Sequence, residues 1–132
     1  MTPSSGKAAA KKSLPAGIAE ATIEFRDGVL LADVPGPNIG RMEAPALVAQ
    51  IGEAVDRSGR GFRTLALDLS KVSLMSGMGL GFCIELHKRA RARGADCVVT
   101  GLNAHLRDLF RLMRIDRLYR IALTRDELPW ST

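Results

Sequence analysis

The chain has 132 residues, of which 46% are hydrophobic and 25% charged, with a formal net charge of +5. That is enough for one domain with one core, and the composition is that of an ordinary globular protein rather than a disordered or fibrous one. No apolar run approaches the roughly 20 residues needed to cross a bilayer, so membrane insertion is not expected.

The basic excess does not point to nucleic acid. Three of the nineteen basic residues, Lys7, Lys11 and Lys12, lie in an acid-free N-terminal stretch, so against fourteen acids the remainder carries only +2. Most of that excess sits late in helices, where cations complement the negative end of the helix dipole. The few aromatics do not interleave with the arginines as a base-stacking platform would require. The opening MTPSSGKAAAKKSLPAG has no apolar segment of the kind a secretory signal needs, so a cytoplasmic protein is expected. Residues 1–17 are expected to form a flexible basic tail, 18–128 the folded domain, and 129–132 a short C-terminal tail.

In chain order, Ala21 to Phe25 and Val29 to Val34 read as two strands joined by the turn signal Asp27-Gly28. Pro35-Gly36-Pro37-Asn38 should end the second strand and join neither a helix nor a ladder. From Glu43 to Arg57, Leu47, Val48, Ile51, Ala54 and Val55 recur at helical spacing. Pro45 falls in the tolerated first turn, and Gly59 with Gly61 stops the helix. Thr64 to Leu69 is a third strand. A helix should then run from about Met78 to Arg93, with Phe82, Cys83, Leu86 and Ala90 on its buried stripe and Gly94 as its stop.

Asp96 to Thr100 is a short, nearly continuous apolar strand. Asn103 caps a helix whose buried face should be Leu106, Leu109, Phe110 and Met113. Leu118 to Leu123 completes the set. The alternation β-β-α-β-α-β-α-β implies crossovers and an α/β fold with a mixed, mostly parallel sheet and an antiparallel N-terminal hairpin. Leu67, Val98, Leu86 and Phe110 should all be core positions on elements that face one another.

No constellation of residues assembles an active site, so the chain is not expected to be an enzyme. Asp68 and Ser76 lack a histidine or lysine between them, and Ser76 is outside any G-x-S-x-G elbow. Gly77-Met78-Gly79-Leu80-Gly81 has no following Lys-Ser/Thr and fails the dinucleotide fingerprint, so no phosphate-binding cofactor loop is indicated. Cys83 and Cys97 are in apolar contexts and read as buried free thiols. His87 and His105 lack ligand partners at helical spacing, so neither a metal nor any other cofactor is expected.

The informative stretch is Leu65 to Gly81, LALDLSKVSLMSGMGLG, in which an apolar strand leads through a serine and glycines into a helix. It resembles the signature of the STAS family, the bacterial anti-sigma factor antagonists. That signature reads strand, Asp-Leu-Ser, Val-x-Phe-Met, Asp-Ser-Ser-Gly-Leu-Gly, helix. Asp68-Leu69-Ser70, Val72, Leu74-Met75 and Gly79-Leu80-Gly81 fall in register without a gap. Further along, Ile115-Asp116-Arg117-Leu118-Tyr119 is similar to the family's Leu-Asp-Arg-Leu-Phe. Gly36 matches a family glycine, while the acidic residue expected shortly after it is absent. The switch residues also differ: Ser76 stands where the family has Asp, Gly77 where it has the first Ser, and Met78 where it has the phosphorylated Ser.

The resemblance implies a STAS-like fold with helices largely on one face of the sheet. It also implies a cytoplasmic, non-catalytic regulatory module that binds an anti-sigma factor or switch-protein kinase of histidine-kinase fold. Ser76, Gly77, Met78, Gly79 and Phe82 would form the partner-binding surface. Ser76 is the one hydroxyl left in the loop. It lies two residues before the usual acceptor position, so it should be a poor phosphorylation site. The alternatives are a STAS subunit fixed in a lipid-transport ABC complex or stressosome-like scaffold, and a small-ligand-sensing STAS domain. Dimerisation is left open.

Overall fold

Asp27 and Gly28 both take positive φ, 53° and 83°, as a two-residue hairpin turn that follows the strand twist requires. The computed structural model, which describes residues 20–128, joins β1 (Thr22–Arg26) antiparallel to β2 (Val29–Asp33) through that turn. The expected tails at 1–17 and 129–132 lie outside the described residues. A short β3 (Asn38–Ile39) precedes α1 (Glu43–Arg57). Then come β4 (Thr64–Asp68), β5 (Leu74–Met75), α2 (Gly77–Ala92), β6 (Asp96–Thr100), α3 (Ala104–Leu112) and β7 (Arg120–Ala122). The main sheet has the order β1-β2-β4-β6-β7, and every pairing after the hairpin is parallel.

The three α-helices of the described residues cover one face of this sheet. Leu47, Ile51 and Val55 of α1, Phe82, Cys83, Leu86 and Ala90 of α2, and Leu106 and Phe110 of α3 share one buried cluster with Leu30, Leu65, Leu67 and Val99 of the strands. Tyr119 enters the same cluster and stays satisfied there, its hydroxyl donating to the Cys83 carbonyl at 2.7 Å.

The helical and strand phases expected from sequence hold with four adjustments. Val98 is buried, but on the face turned away from the helices, with Leu31, Ala66, Ala122 and Leu128. Period-two alternation explains this, since Cys97 and Val99 on either side of it face the helices. Met113 is the C-terminal cap of α3 and is more than half exposed, because the helix ends at Leu112. Leu118 lies just beyond a 3-10 turn (Ile115–Arg117) and Leu123 is exposed, leaving only Arg120–Ala122 as strand. Asn38 does join a ladder: β3 and β5 form a separate two-residue parallel pair, Asn38 with Leu74 and Ile39 with Met75. The prolines before Asn38 donate nothing, yet the Pro37 carbonyl accepts from Ser73 and Leu74 at 2.7 and 3.2 Å.

At the C-terminal ends of β2 and β4, Asp33 and Asp68 are register partners. Arg125, on a second 3-10 turn (Arg125–Glu127), bridges them. Its Nε is 2.6 Å from Asp68 Oδ2 and its Nη2 is 3.0 Å from Asp33 Oδ2. The clasp thereby holds the segment that carries Leu128 onto the second sheet face. Burial works against ionising Asp68, but hydrogen bonds from Ser70 and the Arg125 guanidinium outweigh it and hold the carboxyl below its usual 3.8. A depressed carboxyl stabilises the fold fully above its unfolded value, and the contribution is lost as pH falls below 3.8 through the folded value. Urea melts across the acid range should therefore show a steeper loss for the native protein than for Arg125→Met. Parallel acid limbs for the two proteins would refute the clasp.

Candidate functional site

The segment that leads into α2 is tied down along its length. Leu69 N–H donates to the Thr100 carbonyl at 2.8 Å, Ser76 N–H to the Ile39 carbonyl at 3.0 Å, and Asn103 Nδ2 to the Ser73 carbonyl at 3.3 Å. Gly36 is required beside it, because a Cβ there would overlap the Lys71 carbonyl. The start of α2 is therefore set by the sheet ends rather than left to a free loop.

Ser76 is the N-cap of α2. Its Oγ accepts from the Gly79 N–H at 3.4 Å, which satisfies one of the four donors a helix start leaves unpaired. Gly77 and Met78 follow at the surface. Met78 is 52% exposed, and Met42, just before α1, and Leu74, on β5, are 69% and 53% exposed.

Gly79 and Phe82 take other roles. Gly79 is buried against the backbone of Ile39, whose carbonyl oxygen an added Cβ would overlap, so it seats the helix on β3 rather than meeting a partner directly. Phe82 is 1% exposed and forms the floor beneath the surface.

Between the starts of α1 and α2 runs a groove of about 350 Å³, lined by Ala44, Pro45 and Val48 on one side and Gly77, Met78, Gly81 and Phe82 on the other. Its lining is almost wholly apolar. The glycines are the informative part. A Cβ at Gly77 or Gly81 would meet nothing within 4 Å, and neither has a positive φ. Glycine in a helix costs up to about 1 kcal/mol relative to alanine, so no local demand of the backbone accounts for them. What they do is keep the groove open.

The α1 side of this groove escaped the reading of the sequence. Pro45 and Val48 looked like first-turn and core residues, and only the crossing of α1 beside α2 makes them a wall. Polar chemistry is sparse. Both cysteines are buried, with thiols pushed up to about 12 by that burial, so neither is a ready nucleophile. Among the described residues no group of three or more His, Cys, Asp or Glu is arranged to hold a metal, and no helix is long and apolar enough to cross a membrane.

The family model described as Mlab, STAS domain matches residues 38–124, which include the whole of this site. The chain belongs to the STAS family. A relative from Bordetella bronchiseptica that carries the name anti-sigma factor antagonist BtrV is 27% identical over 105 residues, covering 80% of this chain and 87% of that protein. An anti-sigma factor antagonist from Mycobacterium paratuberculosis is 26% identical in structure-based comparison, with a TM-score of 0.70 over 86% of this chain and 94% of that one. A STAS domain protein from Planctomyces limnophilus superposes with a TM-score of 0.74 at 13% identity, over 84% of this chain and 95% of that one.

Proposed function

We propose that this STAS domain is a non-catalytic regulatory binding module of the anti-sigma factor antagonist type, and that it docks its partner through the α1–α2 groove and the exposed Met78. The observation that carries the reading is the pair of glycines, Gly77 and Gly81, which leave a helix start bare where the packing does not demand it. The partner it suits is a cytoplasmic switch-protein kinase of histidine-kinase fold that doubles as an anti-sigma factor. Two relatives named as anti-sigma factor antagonists support an anti-sigma factor as the partner.

With Met78 at the helix start, the surface has no hydroxyl at the switch position. Ser76, engaged as the cap, is a poor substitute, because in-line phosphoryl transfer tolerates little misplacement of its acceptor. The domain would then act as a permanently unmodified antagonist. The same feature fits a second reading, a STAS subunit fixed in a larger assembly such as a lipid-transport ABC complex, which needs no switch.

Capture of partners on the immobilised protein, with identification by mass spectrometry, separates the two. A histidine-kinase-fold ATPase supports the first and a transporter ATPase the second. Gly81→Leu tests the groove itself. It should melt at or above the native temperature, since leucine is the better helix former, yet capture several-fold less partner. Undiminished capture by this variant would remove the groove from the interface.

A further inference from the structure

At the other end of α2, His87 and Arg91 project toward the start of β6 and the turn before β7. With Asp96, Cys97, Arg117 and Arg120 they line a concavity of about 490 Å³. It lies far from the groove: Met78 and Arg91 are separated by about 20 Å of helix at 1.5 Å per residue. Three arginines and a single carboxylate are among its lining residues. Arg91 is already engaged, its Nη1 3.4 Å from Asp96 Oδ1 and 3.4 Å from the Ala95 carbonyl. The side chains of Arg117 and Arg120 make no hydrogen bond or ion pair with any described residue, as is also true of the exposed Arg41, Arg60 and Arg114, whereas Arg57, Arg89, Arg111 and Arg125 each meet a carboxylate.

The wall behind these arginines is firm. The His87 ring lies against Tyr119, centroids 6.1 Å apart, and Tyr119 is itself anchored to the Cys83 carbonyl. Arg117 belongs to a 3-10 turn, and Arg120 is held in register with Val98 of β6. Burial, and then the charge of Arg91 beside it, keep His87 below its ordinary pKa.

We propose that this concavity binds a small phosphorylated molecule, a phosphomonoester or nucleotide, whose phosphate is held by Arg117 and Arg120, with Arg91 drawn toward it from Asp96. Two unpaired guanidinium forks and a third in reach offer more donors than the two oxygens of a carboxylate can accept. The three terminal oxygens of a phosphate match them better. The volume falls within the range of small-molecule sites, and a recess suits a soluble ligand better than a flat lipid surface.

Titration calorimetry with ADP, inorganic phosphate and adenosine as probes tests this directly. ADP should bind saturably, phosphate more weakly, and adenosine not at all. In proton NMR of the native protein, ADP should shift the ring signals of His87 and leave those of His105 in place. The double variant Arg117→Ala/Arg120→Ala should bind at least about tenfold more weakly, the order expected when charge-assisted hydrogen bonds are lost. Arg41→Ala/Arg60→Ala, an equal change of charge at exposed sites outside the recess, should bind as the native protein does. The proposal is overturned by the absence of saturable ADP and phosphate binding at millimolar concentration. Equal weakening in both double variants, or a silent His87, would also overturn it. Cosedimentation with phosphatidic acid vesicles, where the soluble probes fail, would assign the arginines to a lipid headgroup instead.

Discussion

Phe110→Ala should lower the unfolding free energy by about 3 to 5 kcal/mol, the range for removing a large aromatic from a closed core. Phe110 is fully buried from α3 against the helix-covered face of the sheet, in the cluster that also holds Leu67, Leu86 and Tyr119. A domain of this size should lose roughly 10 to 20 °C in melting temperature. The neighbouring Arg111→Ala is the control. Arg111 is mostly exposed and pairs with Asp108 at 3.5 Å across one turn of the same helix, so its loss should stay within about 0.5 kcal/mol. Chemical denaturation of the two variants gives both numbers. Similar losses would mean that α3 does not present the face described.

Met78→Asp should separate binding from stability in the opposite sense. The side chain is exposed in the first turn of α2, where a carboxylate is favoured by the helix dipole, so melting should be unchanged or slightly raised. Partner binding should fall at least about tenfold, because the new charge would be desolvated without a counter-ion in an apolar contact. Met78→Ser is the companion variant. It returns a hydroxyl to the helix start, and a cognate switch kinase should phosphorylate it while leaving the native protein unmodified. Full retention of binding by Met78→Asp would place the partner elsewhere. Stoichiometric phosphate on Ser76 of the native protein would show that the acceptor has moved rather than vanished.

Much of this molecule was legible in order along the chain. The Asp27-Gly28 turn, the span Glu43–Arg57 and the strand Asp96–Thr100 were each marked by a local signal: a turn dipeptide, apolar residues at helical spacing, and a short apolar run before a turn. Asn103 announced its helix because a short polar side chain before an apolar run has one favourable use, which is to cap, whereas the same role for Ser76 emerged only in the structure. The run Asp68 to Gly81, compared with a known signature, also pointed to the fold and to the expectation that Met78 replaces the switch serine. These features depend on residues close in sequence, and local physics is sufficient to read them.

What only the tertiary structure decided involves residues far apart in the chain. The face to which Val98 belongs follows from where the helices cross the sheet. The ladder of Asn38 with Leu74 depends on two segments with no pattern of their own, brought together by the Pro37 carbonyl. The clasp of Arg125 on Asp33 and Asp68 joins three strand or turn ends that no spacing links. Gly77, Gly79 and Gly81 look alike in sequence. Yet only Gly79 has a backbone pressed against it, and only the other two border an open groove. Whether a glycine is needed for packing or for an empty space depends on what lies within 4 Å of its missing side chain, and that is a property of the assembled fold.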